Sequence, residues 1–248
     1  MERIAKAIEL AGADLAAAPP RPAAFAYSRT PTVPASPAAL RAHHVAVGEE
    51  RTPIAEAFKR LRTQLLQRLR ESGRNALGVA SARAGEGKTT VAANLAVQTA
   101  LEADWTVLLV DADLRRPGLA RALGLGPLPG LAQYLAGAAP LEELLVHPGL
   151  GRCVLLPAGA PLPDSSEALG SARMQELARE LARRYPDRLV IYDLPPLLEA
   201  ADGIAALRWI DAVLLVVEEG RSSADDTVRS AQLAGERLIG TVLNKSGG

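Results

Sequence analysis

Ser81-Ala82-Arg83-Ala84-Gly85-Glu86-Gly87-Lys88-Thr89-Thr90 is the stretch from which the fold can be read. The apolar run Ala76-Leu77-Gly78-Val79-Ala80 precedes it, and the helix-forming Val91-Ala92-Ala93-Asn94-Leu95-Ala96 follows. That order is strand, phosphate loop, helix. The glycines let backbone N–H groups turn inward, Lys88 is placed to reach outer phosphates, and the Thr89 hydroxyl is placed to ligate Mg²⁺. A helix N-terminus beneath the loop adds unsatisfied donors and partial positive charge. Ala82 stands where the usual pattern opens with glycine.

Further apolar runs alternate with helical patterns from residue 76 onward. Strands are predicted at 76–81, 106–111, 153–156, 188–193, 212–217 and 239–244, and helices at 88–103, 131–136, 167–185, 200–209 and 223–235. Most of these strands are continuously apolar, as for strands buried on both faces of a parallel sheet. The expected fold is therefore α/β: a doubly wound, mostly parallel sheet of the P-loop NTPase kind, with its ligand beyond the carboxyl ends of the strands. Two strands run into aspartate there, as Asp111-Ala112-Asp113-Leu114-Arg115-Arg116-Pro117 and as Asp193-Leu194-Pro195-Pro196. Asp111 and Asp113 are two apart on an extended segment and share a face. These hard oxygen ligands suit Mg²⁺ beside a phosphate loop.

N-terminal to this region, Ile4, Ile8, Ala11 and Leu15 recur at helical spacing over residues 2–16, within a first unit of 1–17. This amphipathic helix could dock on the core, a partner or a membrane. Six prolines between Pro19 and Pro37 mark 18–48 as an extended, mobile linker. The domain proper is placed at 49–248. Its first helix is predicted to start at Thr52-Pro53, with Ile54, Phe58, Leu61, Leu65, Leu66 and Leu69 as its apolar stripe.

Lys+Arg and Asp+Glu number 28 each, so overall charge gives no reason to expect nucleic acid as a partner. The balance is uneven along the chain: residues 1–75 carry 12 basic and 7 acidic side chains, with Lys59, Arg60, Arg62, Arg68, Arg70 and Arg74 prominent. Such a segment fits a solvated helix face, an anionic membrane surface or an acidic partner equally well. The single cysteine, Cys153, excludes an intramolecular disulfide framework and reads as a buried strand thiol. His43, His44 and His147 show no metal-ligand spacing with it. No apolar run approaches transmembrane length, and charges occupy Met1-Glu2-Arg3-Ile4-Ala5-Lys6 where a signal peptide would be apolar, so the expected location is cytoplasmic.

The phosphate loop, Val110-Asp111-Ala112-Asp113-Leu114-Arg115-Arg116-Pro117 and Ile191-Tyr192-Asp193-Leu194-Pro195-Pro196 resemble the Walker A, A′ and B motifs of bacterial tyrosine kinases of capsular and exopolysaccharide loci. The resemblance spans residues 52–245 and takes in Glu56-Ala57-Phe58-Lys59-Arg60-Leu61-Arg62, Leu156-Pro157-Ala158-Gly159 and Gly240-Thr241-Val242-Leu243-Asn244-Lys245. The tail architecture is similar to the exosortase-associated branch. The resemblance implies ATP and Mg²⁺. Lys88, Thr90 and the amides of Gly85, Glu86 and Gly87 would bind the nucleotide, Thr89, Asp111 and Asp193 would serve the metal, and Asn244 would lie near the adenine. Lys88, Asp111, Asp113 and Asp193 would form the catalytic set, with Asp113, or Asp111 in alternation with metal binding, helping to accept the phenolic proton. It also implies a membrane-embedded polysaccharide chain-length regulator as partner, with attachment to the inner face of the membrane through it.

Departures from the family pattern are specific. No tyrosine cluster precedes Gly247-Gly248, and the four tyrosines are Tyr27, Tyr134, Tyr185 and Tyr192. Tyr192 and Tyr134 read as core and Tyr185 as a helix end, so Tyr27 is the most reachable acceptor. The family's Glu-x-x-Arg-x-x-Arg oligomerisation motif appears as Glu56, Lys59 and Arg62, where lysine keeps charge but loses the bidentate fork. Asn244-Lys245 invites a guanine-binding reading, but Gly247 stands at the required aspartate. The alternative function is a P-loop ATPase switch of the partition and division-site kind, whose signature lysine is replaced here by Arg83.

Overall fold

In the computed structural model, residues 30–47, 52–102, 104–184 and 188–246 are described. The predicted helix over 2–16, the linker up to residue 29, Tyr27, Tyr185 and Gly247 lie outside them. Six strands, β1 (Ala76–Ser81), β2 (Thr106–Asp111), β3 (Cys153–Leu156), β4 (Arg188–Asp193), β5 (Ala212–Glu218) and β6 (Leu238–Asn244), form one sheet. Their spatial order is β3-β2-β4-β1-β5-β6 and every pairing is parallel.

β1 shows why these runs become strands. All six of its residues are buried. Leu77 and Val79 enter the core on one face of the sheet, and Ala76 and Ala80 enter the core on the other. A strand covered on both faces needs apolar residues at every position, not at alternate ones.

α1 (Pro37–Ala42), α2 (Pro53–Ser72) and α3 (Lys88–Ala100) supply Leu40, Leu65, Leu69, Val91 and Leu95 to the first core. Beyond β2 come the short helices α4 (Leu119–Ala122), α5 (Leu131–Leu135) and α6 (Leu141–Leu144). The second core is closed by α7 (Ser165–Gly170) and α8 (Ala172–Arg184), with Met174 and Leu177 buried. α9 (Ala201–Ala206) runs into a 3₁₀ turn at Leu207–Trp209, and α10 (Ala224–Ala234) leads to β6.

α2 starts where its cap predicts. The Thr52 hydroxyl accepts from the Ala55 N–H at 3.1 Å, Pro53 follows, and Gly73 closes the helix at φ 64°. Its first apolar residue differs from expectation: Ile54 is exposed and Ala55 is buried. The stretch 167–185 is two helices, broken at Ser171, whose Oγ accepts from the Met174 N–H at 3.1 Å. Tyr192 is fully buried, as predicted, with its ring edge-on to Trp209 at 4.9 Å. Cys153 is a buried thiol in β3.

The second half of the proline-rich segment corrects the linker reading. Residues 30–47 form a strap on the domain. Val33 and Ala35 donate to the carbonyls of His147 and Pro148, each at 2.9 Å, and Ser36 donates to Leu123 at 2.9 Å. Pro37 occupies the first turn of α1, where its missing N–H costs nothing. Leu40 and Val45 are buried. Asn94 and Gln98, fully buried polar residues of α3, bind the end of the strap: Asn94 accepts from Ala46 N at 2.9 Å and donates to His44 O at 2.8 Å, and Gln98 donates to Ala46 O at 3.1 Å. Prolines removed only donors that this docking does not use.

Candidate active site

The parallel order brings the ends of β1, β4 and β2 together. Val79 pairs with Asp193, and Asp193 pairs with Asp111. The loop after β1 therefore faces two strand-end carboxylates. Gly85 and Gly87 sit at φ 87° and 96°, in the left-handed region that favours glycine. A Cβ on Gly87 would lie 2.0 Å from Asn244 Nδ2. That amide donates to the Glu86 carbonyl at 2.9 Å, so Asn244 braces the loop from below.

Lys88 is 7% exposed and its ammonium lies 2.8 Å from Asp113 Oδ2 and 3.6 Å from Asp193 Oδ1. The Thr89 hydroxyl donates to Asp193 Oδ2 at 2.6 Å. Asp111 Oδ2 accepts the N–H groups of Gly118 and Leu119 at 3.0 and 2.9 Å, at the start of α4. Asp113 Oδ1 accepts the Arg116 N–H at 2.9 Å. Four of the predicted site residues thus form one buried cluster of three carboxylates and one ammonium. Thr89 joins it, while Thr90 follows on the first turn of α3.

Two carboxylate oxygens, Asp111 Oδ1 and Asp193 Oδ1, are buried without a hydrogen bond. Burial, then the Asp193 charge, pushes the Asp111 carboxyl up to about 7, against the hydrogen bonds of Leu119 and Gly118 and the pull of Lys88. Burial also raises Asp193, with Lys88 and the Thr89 hydroxyl opposing. Burial disfavours the Lys88 charge as well, but Asp193, Asp113 and Asp111 outweigh it and hold the ammonium above its ordinary range. Hard oxygens, two of them without a hydrogen bond, fit Mg²⁺. No group of three or more His, Cys, Asp or Glu forms a metal site among the described residues, but Mg²⁺ beside a nucleotide takes one or two carboxylates and completes its shell with phosphates and water.

Side chains of the loop itself and of distant segments hold the loop from both flanks. Glu199, soon after Pro195-Pro196, accepts the Ala84 N–H at 2.6 Å and pairs with Arg116 at 2.9 Å. Glu86, 2% exposed, accepts from Arg83 N at 3.0 Å and from the Ser222 hydroxyl. Lys245 donates to Gly85 O at 3.0 Å and pairs with Glu218 at 2.9 Å. Arg83 pairs with Asp226 of α10 at 2.7 Å. Only the position of Glu199, just past a strand-end Asp and two prolines, offered a sequence signal.

Residues 77–248 match the CobQ/CobB/MinD/ParA nucleotide binding domain family. Tyrosine-protein kinase YwqD of Bacillus subtilis is 30% identical over 203 residues, covering 81% of this chain and 84% of YwqD. The chain belongs to the bacterial tyrosine-protein kinase family. Tyrosine-protein kinase Etk of Escherichia coli K12 is 34% identical over 81% of this chain, and the chain spans 28% of the length of Etk. The succinoglycan biosynthesis transport protein ExoP of Rhizobium meliloti is 33% identical over 83% of this chain, which spans 27% of ExoP. The solved kinase domain of Escherichia coli Etk superposes with a TM-score of 0.71 at 29% identity, covering 86% of this chain and 96% of that domain.

In this family frame the Glu56, Lys59, Arg62 triplet is engaged within the chain. Lys59 pairs with Glu56 at 2.8 Å, on the exposed side of α2. Arg62 reaches α3, donating to Gln98 O at 2.9 Å and pairing with Glu102 at 2.6 Å. No helix among the described residues is long and apolar enough to cross a membrane.

Proposed function

We propose that the chain is an ATP-dependent protein-tyrosine kinase that phosphorylates itself and regulates exopolysaccharide synthesis or export. The observation that carries this reading is the buried cluster of Lys88, Asp111, Asp113 and Asp193 beneath the phosphate loop. Lys88, Thr90 and the amides of Gly85, Glu86 and Gly87 bind the phosphates of ATP, and Asn244 keeps the loop in shape. Thr89, Asp111 and Asp193 would hold Mg²⁺, which would supply charge neutralisation for phosphoryl transfer.

Lys88 and Asp113 then work as a pair. In this structure the lysine occupies Asp113 Oδ2. Moving the ammonium to a phosphate frees that oxygen at the same moment, so a filled loop exposes the base. A tyrosine hydroxyl titrates near 10 and an aspartate near 4, so roughly six units forbid full proton transfer before attack. Asp113 therefore orients the hydroxyl and takes its proton late, as a loose phosphoryl transition state permits.

Tyr192 is fully buried, and burial pushes its hydroxyl above the ordinary range, so it is no acceptor. Tyr134 is half-buried beneath the Arg173 guanidinium, 4.6 Å from the ring centroid. We assign Tyr27 as the preferred autophosphorylation site. A membrane polysaccharide chain-length regulator is the activating partner, at the inner face of the membrane, and the Glu56–Lys59 face of α2 is the candidate self-association surface.

Purified chain incubated with labelled ATP and Mg²⁺ is expected to yield phosphotyrosine, lost in Lys88→Ala. ATP hydrolysis without phosphotyrosine, on itself or on a tyrosine-bearing partner, would replace the kinase by an ATPase switch. Mass spectrometry finding phosphate only on other tyrosines would remove Tyr27.

A further inference from the structure

At the opposite edge of the sheet from the phosphate loop lies a cleft of about 950 Å³. Asn75 and Ala76 at the start of β1, Trp105 before β2, Asp211 before β5 and Arg237 before β6 line it. A six-residue strand separates it from the loop by roughly 20 Å. Six arginines line this cleft, Arg70, Arg74, Arg179, Arg183, Arg208 and Arg237, against the two carboxylates of Asp211 and Glu236. Arg70, Arg74, Arg183 and Arg208 form no ion pair among the described residues.

We propose that this cleft binds a small polyphosphorylated anion, separately from the nucleotide at the loop. Cations in the last turn of a helix are favoured by the helix dipole, which accounts for Arg70 on α2 and Arg183 on α8. It does not account for Arg74, Arg208 and Arg237, which come from three other segments and converge on the same space. A volume near 950 Å³ is that of a small-molecule site and is concave, unlike a surface that lies on a bilayer. Arg70 stacks on Trp105 at 5.0 Å, which occupies the face of the guanidinium and leaves its N–H edge for hydrogen bonding. Trp105 and Trp209 are each only 8% exposed, so the walls offer guanidinium donors and little bare ring. The ligand is therefore read by its charge. Closely spaced phosphates match the four guanidinium forks that form no ion pair better than an acidic peptide, whose carboxylates are spread along a chain at about 3.3 Å or more per residue.

The test titrates the full chain with inorganic tripolyphosphate in magnesium-free buffer, followed by calorimetry. Two classes of site are expected, the loop and the cleft, both weakening as salt rises. Arg74→Gln with Arg208→Gln should weaken one class by about a hundredfold, roughly tenfold per charge-assisted contact, and leave the other unchanged. Arg208 is exposed and Arg74 half-buried, and circular dichroism confirms that the variant is folded. A single class in the native chain, or two classes that the variant leaves intact, overturns the proposal. So does binding of octaglutamate or of phosphatidylglycerol vesicles that the variant loses while tripolyphosphate binding is unaffected. None of these readouts depends on kinase activity.

Discussion

Replacing Asp111 by asparagine should stabilise the metal-free protein and at the same time abolish its stabilisation by Mg·ATP. Asp111 is fully buried, and its carboxyl is pushed from 3.8 up to about 7, by burial first and the Asp193 charge second. Three units at about 1.4 kcal/mol each set an upper bound near 4 kcal/mol on the cost of ionising it at pH 8. Lys88 and Asp193 share that cost, so about 1–3 kcal/mol is the working figure. Asparagine keeps an oxygen for the Gly118 and Leu119 N–H groups. It also puts an amide where Asp111 Oδ1 has no partner, beside the Asp193 carboxylate. For a domain of this size the gain is a Tm rise of about 3–10 °C.

The dependence on pH has a definite sign. An acid whose folded pKa is raised above its unfolded value favours the folded state while protonated. The wild type should therefore lose stability between pH 4 and pH 7, where the unfolded carboxyl is already ionised and the native one still holds its proton, and the slope should end as the native carboxyl ionises. Asp111→Asn should lack this slope and match the wild type at the acid end. With Mg·ATP at a hundred times its dissociation constant, the wild type gains about 2.7 kcal/mol and the variant little. Differential scanning fluorimetry from pH 4.5 to 8, in EDTA and in Mg·ATP, measures both effects. A variant less stable than wild type in EDTA at pH 8, or one stabilised equally by Mg·ATP, would refute the reasoning.

Gly87→Ala forces a side chain at φ 96° and 2.0 Å from Asn244 Nδ2, so nucleotide affinity should fall by at least about tenfold while the fold survives; equilibrium dialysis of labelled ATP reads it. Asn94→Ala leaves Ala46 N and His44 O without their partner, at a cost of about 2–4 kcal/mol. Thermal melts should drop accordingly, and trypsin should cut at Arg41 before the domain unfolds; unchanged proteolysis would show that the strap is held by other contacts. Burial pushes the Cys153 thiol up to about 12, so iodoacetamide at pH 8 should modify it only on unfolding, and rapid native labelling would contradict its position in β3.

What could be read from the chain was whatever is local. The loop, its two glycines and the aspartates that end β2 and β4 carry their chemistry within a few residues. A parallel sheet then delivers them to one edge without further instruction. The strap was misread because proline content argues against ladder pairing but not against isolated backbone contacts such as Val33 to His147. Its anchor was visible only as an oddity, the two amides Asn94 and Gln98 among the apolar residues of 91–98 in α3. The contacts that Ser222 and Lys245 make with the loop were unreadable for a different reason. Each residue meets the loop from more than a hundred residues away and obeys no spacing rule.

The same separation explains the charge balance of the site. Three buried carboxylates face one lysine, a net negative cluster that no other buried side chain among the described residues neutralises. A fold selected for stability alone would neutralise or remove one of them, which is why Asp111→Asn is expected to raise Tm. On the proposed function, stability withheld at this point would be recovered when a divalent cation and the phosphates it carries bind and Lys88 exchanges carboxylate for phosphate. Nucleotide binding and release of the Asp113 carboxylate would then be one electrostatic event. A variant that pins Lys88 to its aspartates, by adding negative charge beside them, should bind Mg·ATP more weakly and transfer phosphate more slowly, with both losses growing together.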